Sequence, residues 1–237
     1  MKVEGPPRSD QSPGLIACKF AAILFDFDGV LIESEYAGNR QIARWLTANG
    51  WPTTPEQSMA NFMGLAGKDF HAALERWIGG ALPPAFHDAR RVEDERVMRE
   101  GVAAVAGAVA FVRALPPDLP RAIVSSSSTA WIGRHLDHIG LAGAFGDHLY
   151  SGREHVARGK PAPDLYLFAA ARLGVAIERC AIIEDSPVGA RGAVASGGYV
   201  IGLVAGTHCG VGHADTLRRL GVSAVAGNFD EVTELLG

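Results

Sequence analysis

The chain has 237 residues, of which 48% are hydrophobic and 20% are charged, and its formal net charge is −4. These values are ordinary for a globular protein and allow one large domain or two modest ones. The slightly acidic balance argues against a face that binds the phosphate backbone of nucleic acids, so we expect no nucleic-acid partner. A small positive pocket for a single phosphate group remains compatible with it.

The cysteine content and the start of the chain bear on its compartment. Three cysteines without a secretion signal predict a reduced, cytoplasmic protein rather than a disulfide framework. The sequence has no run of about 18 consecutive apolar residues, so we expect no membrane span. Residues 1–17, which begin with a segment rich in proline, glycine, serine and charge, are predicted to be a disordered leader. We expect the chain to act as a monomer.

The first predicted strand covers residues 20–25 and ends in two carboxylates, Asp26 and Asp28. The run is too short, too branched and too aromatic for a helix. Gly29 allows a sharp turn that would bring both carboxylates toward one spot, where they need a cation or a shared proton. A surface turn is the alternative, because aspartate and glycine also favour turns.

Residues 35–100 carry helical patterns and no convincing strand. Ile42, Trp45 and Leu46 share one helix face, as do Phe70 and Leu74 with the residues one turn further on. We therefore predict an α-helical cap over residues 35–102, inserted into a core made of residues 18–34 and 103–237. The two connections, at residues 33–37 and 101–106, are the predicted hinges.

From about residue 105 strands and helices alternate, which predicts an α/β fold with a doubly wound, mostly parallel sheet. The predicted strands cover residues 121–124, 147–150, 180–183, 199–204 and 223–226. The predicted helices cover residues 129–138 and 163–173, and a third helix follows Pro187.

Three polar clusters follow predicted strands or lie in loops of this α/β part. The first is the hydroxyl run 125–129 before a helix, which suits an anion, although a helix cap explains it too. The second is Lys160, which two prolines hold on a stiff loop. The third is the pair Glu184 and Asp185, whose oxygens beside a phosphate would suit Mg²⁺. Helix capping is again the alternative.

Taken in order, these clusters resemble the haloacid dehalogenase-like superfamily, in its β-phosphoglucomutase-like branch. The resemblance covers nearly the whole chain, including a helical cap after the first motif. It rests on Asp26-Phe-Asp28-Gly29-Val30, Ser126, Gly159-Lys160-Pro161-Ala162-Pro163-Asp164 and Ile183-Glu184-Asp185-Ser186-Pro187.

The resemblance implies a role for each matching residue. Asp26 would be the nucleophile that becomes an aspartyl phosphate, and Asp28 would be the general acid and then the base. Ser126 and Ser127 would bind the phosphoryl oxygens, and Lys160 would hold the phosphate and Asp26 together. Members that cleave carbon–halogen or carbon–phosphorus bonds lack an aspartate at the second position, so Asp28 favours phosphate esters.

The resemblance also implies Mg²⁺ as the cofactor. Glu184 and Asp185 would bind it together with Asp26 and the backbone carbonyl of Asp28. Phosphoryl transfer depends on positioning and charge neutralisation, which a metal ion and a lysine supply.

Three other sites are disfavoured by the sequence. An EF-hand would need glycine and glutamate where Leu31 and Ala37 stand, and a dinucleotide fold would need a glycine-rich turn after the first strand. His208, Cys209 and His213 resemble zinc ligands, but they lack a fourth partner in the sequence.

The cap sequence bears on the choice between a phosphatase and a phosphosugar mutase. A mutase would have a hinge histidine twelve residues after the nucleophile, and Gly38 stands there. A mutase cap also carries basic residues around a glycine that we match to Gly64, whereas Met63 and Gly67 stand at the equivalent positions. Lys68 beside them is a candidate for contact with the substrate, or a solvated lysine at a helix start.

We therefore predict a Mg²⁺-dependent phosphatase of small phosphorylated metabolites, namely sugar or sugar-acid phosphates. Two alternatives stay open: a phosphosugar mutase, and a non-catalytic protein that senses phosphate compounds. The second would not need a nucleophile, so Asp26 argues against it.

Overall fold

The computed structural model describes residues 18–63, 65 and 67–237. The predicted leader at 1–17 and Gly64 lie outside the described residues. Within them, six strands form one sheet of order β3-β2-β1-β4-β5-β6, and every neighbouring pair is parallel. The predicted doubly wound fold is confirmed. The strands are β1 Ala22–Phe25, β2 Arg121–Ser125, β3 Leu149–Ser151, β4 Cys180–Glu184, β5 Tyr199–Leu203 and β6 Ala224–Ala226.

Strand β1 lies at the centre of the sheet, between β2 and β4. The chain order reverses here, because β2 and β3 lie on one side and β4, β5 and β6 on the other. In such sheets ligands bind at the carboxyl ends of the strands, beside the reversal. The residues that follow β1 and β4 are therefore at the position where a ligand is expected.

Helices cover both faces of the sheet, which is why β1 is apolar throughout. Ile23 and Phe25 pack into one hydrophobic cluster, and Ala22 and Leu24 pack into another on the opposite face. The helices outside the insertion are α5 Ala108–Ala114, α6 Thr129–His138, α7 Asp164–Leu173, α8 Pro187–Ser196, α9 His213–Arg219 and α10 Phe229–Leu236.

Four helices lie between β1 and α5 and have a hydrophobic cluster of their own. Ile42, Leu46 and Leu74 are buried in it, so the apolar faces predicted from the sequence meet there. The indole of Trp77 also donates to Thr53 Oγ1 at 2.9 Å. The division into cap and core remains a prediction. The four helices are α1 Ser34–Ala48, α2 Pro55–Phe62, α3 Gly67–Ile78 and α4 Pro84–Glu100.

The chain enters and leaves this helical insertion side by side. Ile32 forms an antiparallel bridge with Ala104, and the Glu33 amide donates to the Ala103 carbonyl at 2.9 Å. The Val105 amide donates to the carbonyl of Leu31 at 3.0 Å. The two connections are therefore joined to each other before the insertion begins.

No helix among the described residues has both the length and the apolar character that a membrane crossing requires.

Candidate active site

Three buried carboxylates meet at the carboxyl ends of β1 and β4. Phe25 is in register with Ile183, and the Asp26 amide donates to the Ile183 carbonyl at 2.9 Å. This pairing puts Asp26 beside Glu184 and Asp185, the next residues of the neighbouring strand and loop. Carboxylate oxygens of the three residues lie within 4.8 Å of one another.

Lys160 reaches this cluster from the loop before α7. Its Nζ donates to Asp26 Oδ1 at 2.5 Å and also contacts Glu184 Oε1, and its side chain is only 4% exposed. Burial opposes the charge on Lys160, but the charges of Asp26 and Glu184 outweigh burial and raise its pKa above the ordinary value. The hydroxyl of Tyr166 donates a further hydrogen bond of 2.6 Å to Glu184 Oε1.

One lysine does not balance three carboxylates. Burial and the charge of Glu184 raise the pKa of Asp26 and that of Asp185 well above their ordinary values, although Lys160 opposes the shift. Among the described residues, the buried Oδ1 of Asp185 has no hydrogen-bond partner. Oxygen atoms of this kind and number suit a divalent cation such as Mg²⁺, so the cluster fits the predicted metal.

Two histidines that follow β5 contact Asp185: His208 in the loop and His213 at the start of α9. His208 Nε2 lies 2.7 Å from Asp185 Oδ2, and His213 Nε2 lies 2.6 Å from the Asp185 backbone oxygen. Possible ligand atoms of His208, Cys209 and His213 also lie within 4.8 Å of one another, and the expectation that they do not form a zinc site stays a prediction. No sequence pattern indicated that both rings contact Asp185.

Asp28 has partners that differ from those of Asp26. Its Oδ1 accepts from Ser34 Oγ at 2.7 Å and from the indole nitrogen of Trp131 at 3.1 Å. Its Oδ2 accepts from Ser127 Oγ at 2.7 Å and from Ser125 Oγ at 3.3 Å. Four donors therefore fix the orientation of this carboxylate.

The serines that follow β2 make different contacts. Ser128 caps α6, because its side chain accepts from the Trp131 amide at 3.2 Å, and Ser127 donates to Asp28. Ser126 is exposed at the start of the loop. Phosphate binding by Ser126 and Ser127 stays a prediction, and the contact of Ser127 with Asp28 was not expected.

Two glycines make room for the carboxylates. Gly29 has a φ of +86°, and a Cβ there would collide with the carboxylate of Asp185. Gly189 lies in the first turn of α8, and a Cβ there would collide with the carboxylate of Glu184. The Glu184 side chain therefore packs directly against this glycine.

Two residues of the helical insertion, Lys68 and Glu35, bear on the candidate site. Lys68 is exposed at the start of α3, and its substrate contact stays a prediction. Glu35, in the first turn of α1, has a raised pKa because of burial and the negative charge of Asp28. A cavity of about 800 Å³ lies elsewhere, between α3, α4 and α6, with Phe70 and Arg134 in its lining.

Comparisons with known proteins agree with this arrangement. A family model for haloacid dehalogenase-like hydrolases matches residues 20–197. Hexitol phosphatase A of Escherichia coli (strain K12) is 32% identical over 220 residues, which cover 91% of this chain and 94% of that protein. The 6-phosphogluconate phosphatase of the same strain is 28% identical over 192 residues, covering 80% and 85% of the two chains.

A solved structure gives the same result. A HAD family hydrolase from Deinococcus radiodurans R1, with bound phosphate and sodium, has a TM-score of 0.79 and is 34% identical to this chain. The match covers 92% of this chain and 98% of that one. The resemblance inferred from the motifs is thereby confirmed. The chain belongs to the haloacid dehalogenase-like hydrolases, and it is a phosphoric monoester hydrolase.

Proposed function

We propose that the protein hydrolyses small sugar or sugar-acid phosphates with Mg²⁺, through a phosphorylated Asp26. The observation that carries the proposal is the contact of Lys160 with both Asp26 and Glu184, beside an Asp185 oxygen that has no hydrogen-bond partner within the described part of the chain. The named activities of the two Escherichia coli relatives support the substrate class.

In the first step, Asp26 attacks phosphorus. A bond forms between a carboxylate oxygen of Asp26 and phosphorus, and the bond from phosphorus to the ester oxygen breaks. Asp28 gives its proton to the departing alcohol. Lys160 holds the Asp26 carboxylate at 2.5 Å and offsets the negative charge that collects at the strand ends.

In the second step, water breaks the phosphorylated intermediate. Asp28 takes the proton of the attacking water, a bond forms between the water oxygen and phosphorus, and the bond to Asp26 breaks. Free phosphate leaves and Asp26 regains its carboxylate. Ser126 and Ser127 are the proposed hydrogen-bond donors to the phosphoryl oxygens in both steps.

The residues that would hold Mg²⁺ are Asp26, Glu184 and Asp185, with the backbone carbonyl of Asp28. When bound, the ion neutralises charge on the carboxylates and on the transferring phosphoryl group. In this proposal the protein works in the cytoplasm, and its partner is a small phosphate ester that serves as the substrate. The helical insertion at 35–102, with Lys68, would cover the substrate and select it.

Gly38 favours hydrolysis over isomerisation. It lies in α1, and a Cβ built there would meet no described atom within 4 Å, so the backbone surroundings do not require glycine. A mutase of this family would use a histidine at this position.

A panel of phosphorylated metabolites tests the proposal. Purified protein with Mg²⁺ should release inorganic phosphate from hexitol, hexose or sugar-acid phosphates, and EDTA should stop the release. Asp26→Asn should abolish turnover while the protein stays folded by circular dichroism. Release from no panel member would refute hydrolysis, and conversion of a hexose 1-phosphate into its 6-phosphate without free phosphate would instead establish a mutase.

A further inference from the structure

We propose that His208 is a positioning residue for the cation site, since it holds Asp185 with one oxygen turned toward the metal. The inference rests on the proposed function, because it assumes that Asp185 binds a divalent cation. It gives a role to a histidine that the sequence associated with zinc.

The contact between the two side chains is short and buried. His208 Nε2 lies 2.7 Å from Asp185 Oδ2, and the two side chains are 1% and 2% exposed. In this proposal the contact is a hydrogen bond that Nε2 donates, since an ionised carboxylate can only accept. Water does not compete at such low exposure, so this bond fixes the rotation of the Asp185 carboxyl group.

The bond leaves one oxygen of Asp185 for the metal. Oδ2 is occupied by His208, while Oδ1 is buried and has no partner among the described residues. Oδ1 is therefore the oxygen of Asp185 that is available to bind a metal. Without His208 the carboxyl group could turn toward other donors, and both oxygens would lose their fixed directions.

The chain makes space for this ring on two sides. A Cβ at Gly29 or at Gly206 would collide with the imidazole of His208, so both glycines permit its close approach. Gly29 is also the residue that permits the approach of Asp185. His213 holds the backbone of the same residue, with Nε2 2.6 Å from the Asp185 oxygen.

Direct metal binding by His208 is the competing explanation. Cys209 Sγ lies 3.3 Å from His208 Nε2, so the two residues could in principle share a metal. The Nε2 atom lies nearer to Asp185 Oδ2, at 2.7 Å, than to Cys209 Sγ. This shorter contact favours the positioning role.

Metal affinity measured without substrate tests the proposal. Mn²⁺ has the same preference for oxygen ligands as Mg²⁺, and free Mn²⁺ can be counted by electron paramagnetic resonance. We expect His208→Asn to weaken Mn²⁺ binding about 10- to 100-fold, because its shorter amide does not reach the position of Nε2. His208→Gln, whose amide nitrogen does reach it, should restore affinity to within about threefold of the natural protein.

Cys209→Ser is the matched control in the same loop. Positioning predicts that this variant binds Mn²⁺ like the natural protein. If Cys209→Ser and His208→Gln both lose affinity, His208 is a direct ligand and the proposal is wrong. Unchanged affinity in His208→Asn would also overturn it. If the natural protein itself binds neither Mn²⁺ nor Mg²⁺, the metal in the proposed function fails, whatever the variants do.

A further test uses the natural protein, so it does not require that any variant folds. Two-bond proton–nitrogen spectra of ¹⁵N-labelled protein identify which nitrogen of each imidazole carries the proton. We expect His208 to carry it on Nε2, with a resonance that shifts when Mg²⁺ is added. A proton on Nδ1 of His208 would contradict the hydrogen bond to Asp185 and would refute the proposal.

Discussion

Asp26 and Asp28 are two residues apart, yet their side chains belong to separate networks. Asp26 contacts Lys160, while Asp28 accepts from three serines and Trp131. A nucleophile needs a nearby positive charge, whereas a group that transfers protons needs a fixed direction. The two networks supply these two needs.

The proposed role of Asp28 can be tested with two leaving groups. Asp28→Asn should lower kcat/KM for a sugar phosphate about 10²- to 10⁴-fold, because the alkoxide then departs without a proton. The loss should be much smaller for p-nitrophenyl phosphate, whose leaving group is stable as an anion. Steady-state kinetics with both substrates make the comparison, with Ser34→Ala as the control that keeps the carboxylate. Equal losses for both substrates would show that Asp28 is not the acid.

The sequence indicated some of these residues and not others, for a physical reason. Asp26, Glu184 and Asp185 directly follow apolar runs, so their position at strand ends could be predicted from chain order alone. Trp131 and Tyr166 lie on helices and read as ordinary core residues. Their contacts with Asp28 and Glu184 depend on how α6 and α7 pack against the sheet, which no local pattern encodes.

At the scale of elements, α8 begins against the active site. Ser186 caps it and accepts from the Gly189 amide at 3.0 Å, while the Ser186 amide donates to Glu184 Oε2 at 3.3 Å. The end of β4 and the start of α8 therefore hold Glu184 from two sides. Gly189 is the position on α8 where this carboxylate needs the most room.

Gly189→Ala tests this need for room against a matched helix position. Gly133 lies inside α6 with open space where a Cβ would point, so Gly133→Ala should stabilise the protein by about 0.5–1 kcal/mol. Gly189→Ala should instead destabilise it by about 1–3 kcal/mol and weaken Mg²⁺ binding, because Glu184 must move. Urea unfolding of both variants measures the difference, and a stabilised Gly189→Ala would contradict the description of α8.

Helix α6 also carries a buried histidine that makes stability depend on pH. Burial lowers the pKa of His135, whose Nδ1 lies 2.9 Å from the Trp131 carbonyl. Below a pH of about 6.5 the unfolded chain binds a proton there and the folded chain does not, so the free energy of unfolding falls as the pH falls through this window. One such group contributes at most about 1.4 kcal/mol per pH unit.

Substitution isolates this contribution. His135→Phe should reduce the loss of stability between about pH 7.5 and pH 5, measured by urea unfolding at each pH. Other buried histidines contribute with the same sign, so the difference between the two proteins is the relevant quantity. His138→Phe, at an exposed position of the same helix, is the control. Identical pH profiles for His135→Phe and the natural protein would refute the assignment.

The element boundaries were predictable to different degrees. The apolar run at 180–183 is a strand that extends to Glu184, and the predicted helix at 129–138 has the predicted bounds. The strand predicted at 147–150 differs from the observed one: β3 begins and ends later in the chain, at Leu149–Ser151. This strand lies at the sheet edge, where pairing with β2 alone sets its limits. Within the insertion, prolines and capping residues mark helix starts, but no pattern indicates substrate preference.

At the scale of the whole molecule, the buried carboxylates leave the metal-free protein with excess negative charge. Mg²⁺ should raise the melting temperature, because an ion at about 100 times its Kd adds about 2.7 kcal/mol to the free energy of unfolding. For a chain of this size that corresponds to about 5–10 °C. Differential scanning calorimetry with and without Mg²⁺ makes the measurement.

Asp185→Asn should remove the rise in melting temperature that Mg²⁺ causes. It should also raise the melting temperature of the metal-free protein. Without metal the variant should melt above the natural protein, because a neutral amide avoids both the cost of burying a charge and the repulsion by Glu184, which together raise the pKa of Asp185. Its melting temperature should then change little when Mg²⁺ is added. Asp215→Asn, at an exposed position of α9, should keep the full response. If Mg²⁺ still stabilised Asp185→Asn fully, the metal would have to bind at a site that does not include Asp185.

The paired connections at Leu31–Glu33 and Ala103–Val105 make the helical insertion exchangeable. Because the Glu33 amide and the Ala103 carbonyl are 2.9 Å apart, a tight turn could join the two connections and bypass the helices between them. The β1–β4 ladder and the carboxylates at its end do not depend on what is inserted there. Mutation could therefore reshape the helical insertion, the proposed cover of the substrate, while the carboxylates stay where they are, and a helical insertion from a relative could be grafted at the same two points.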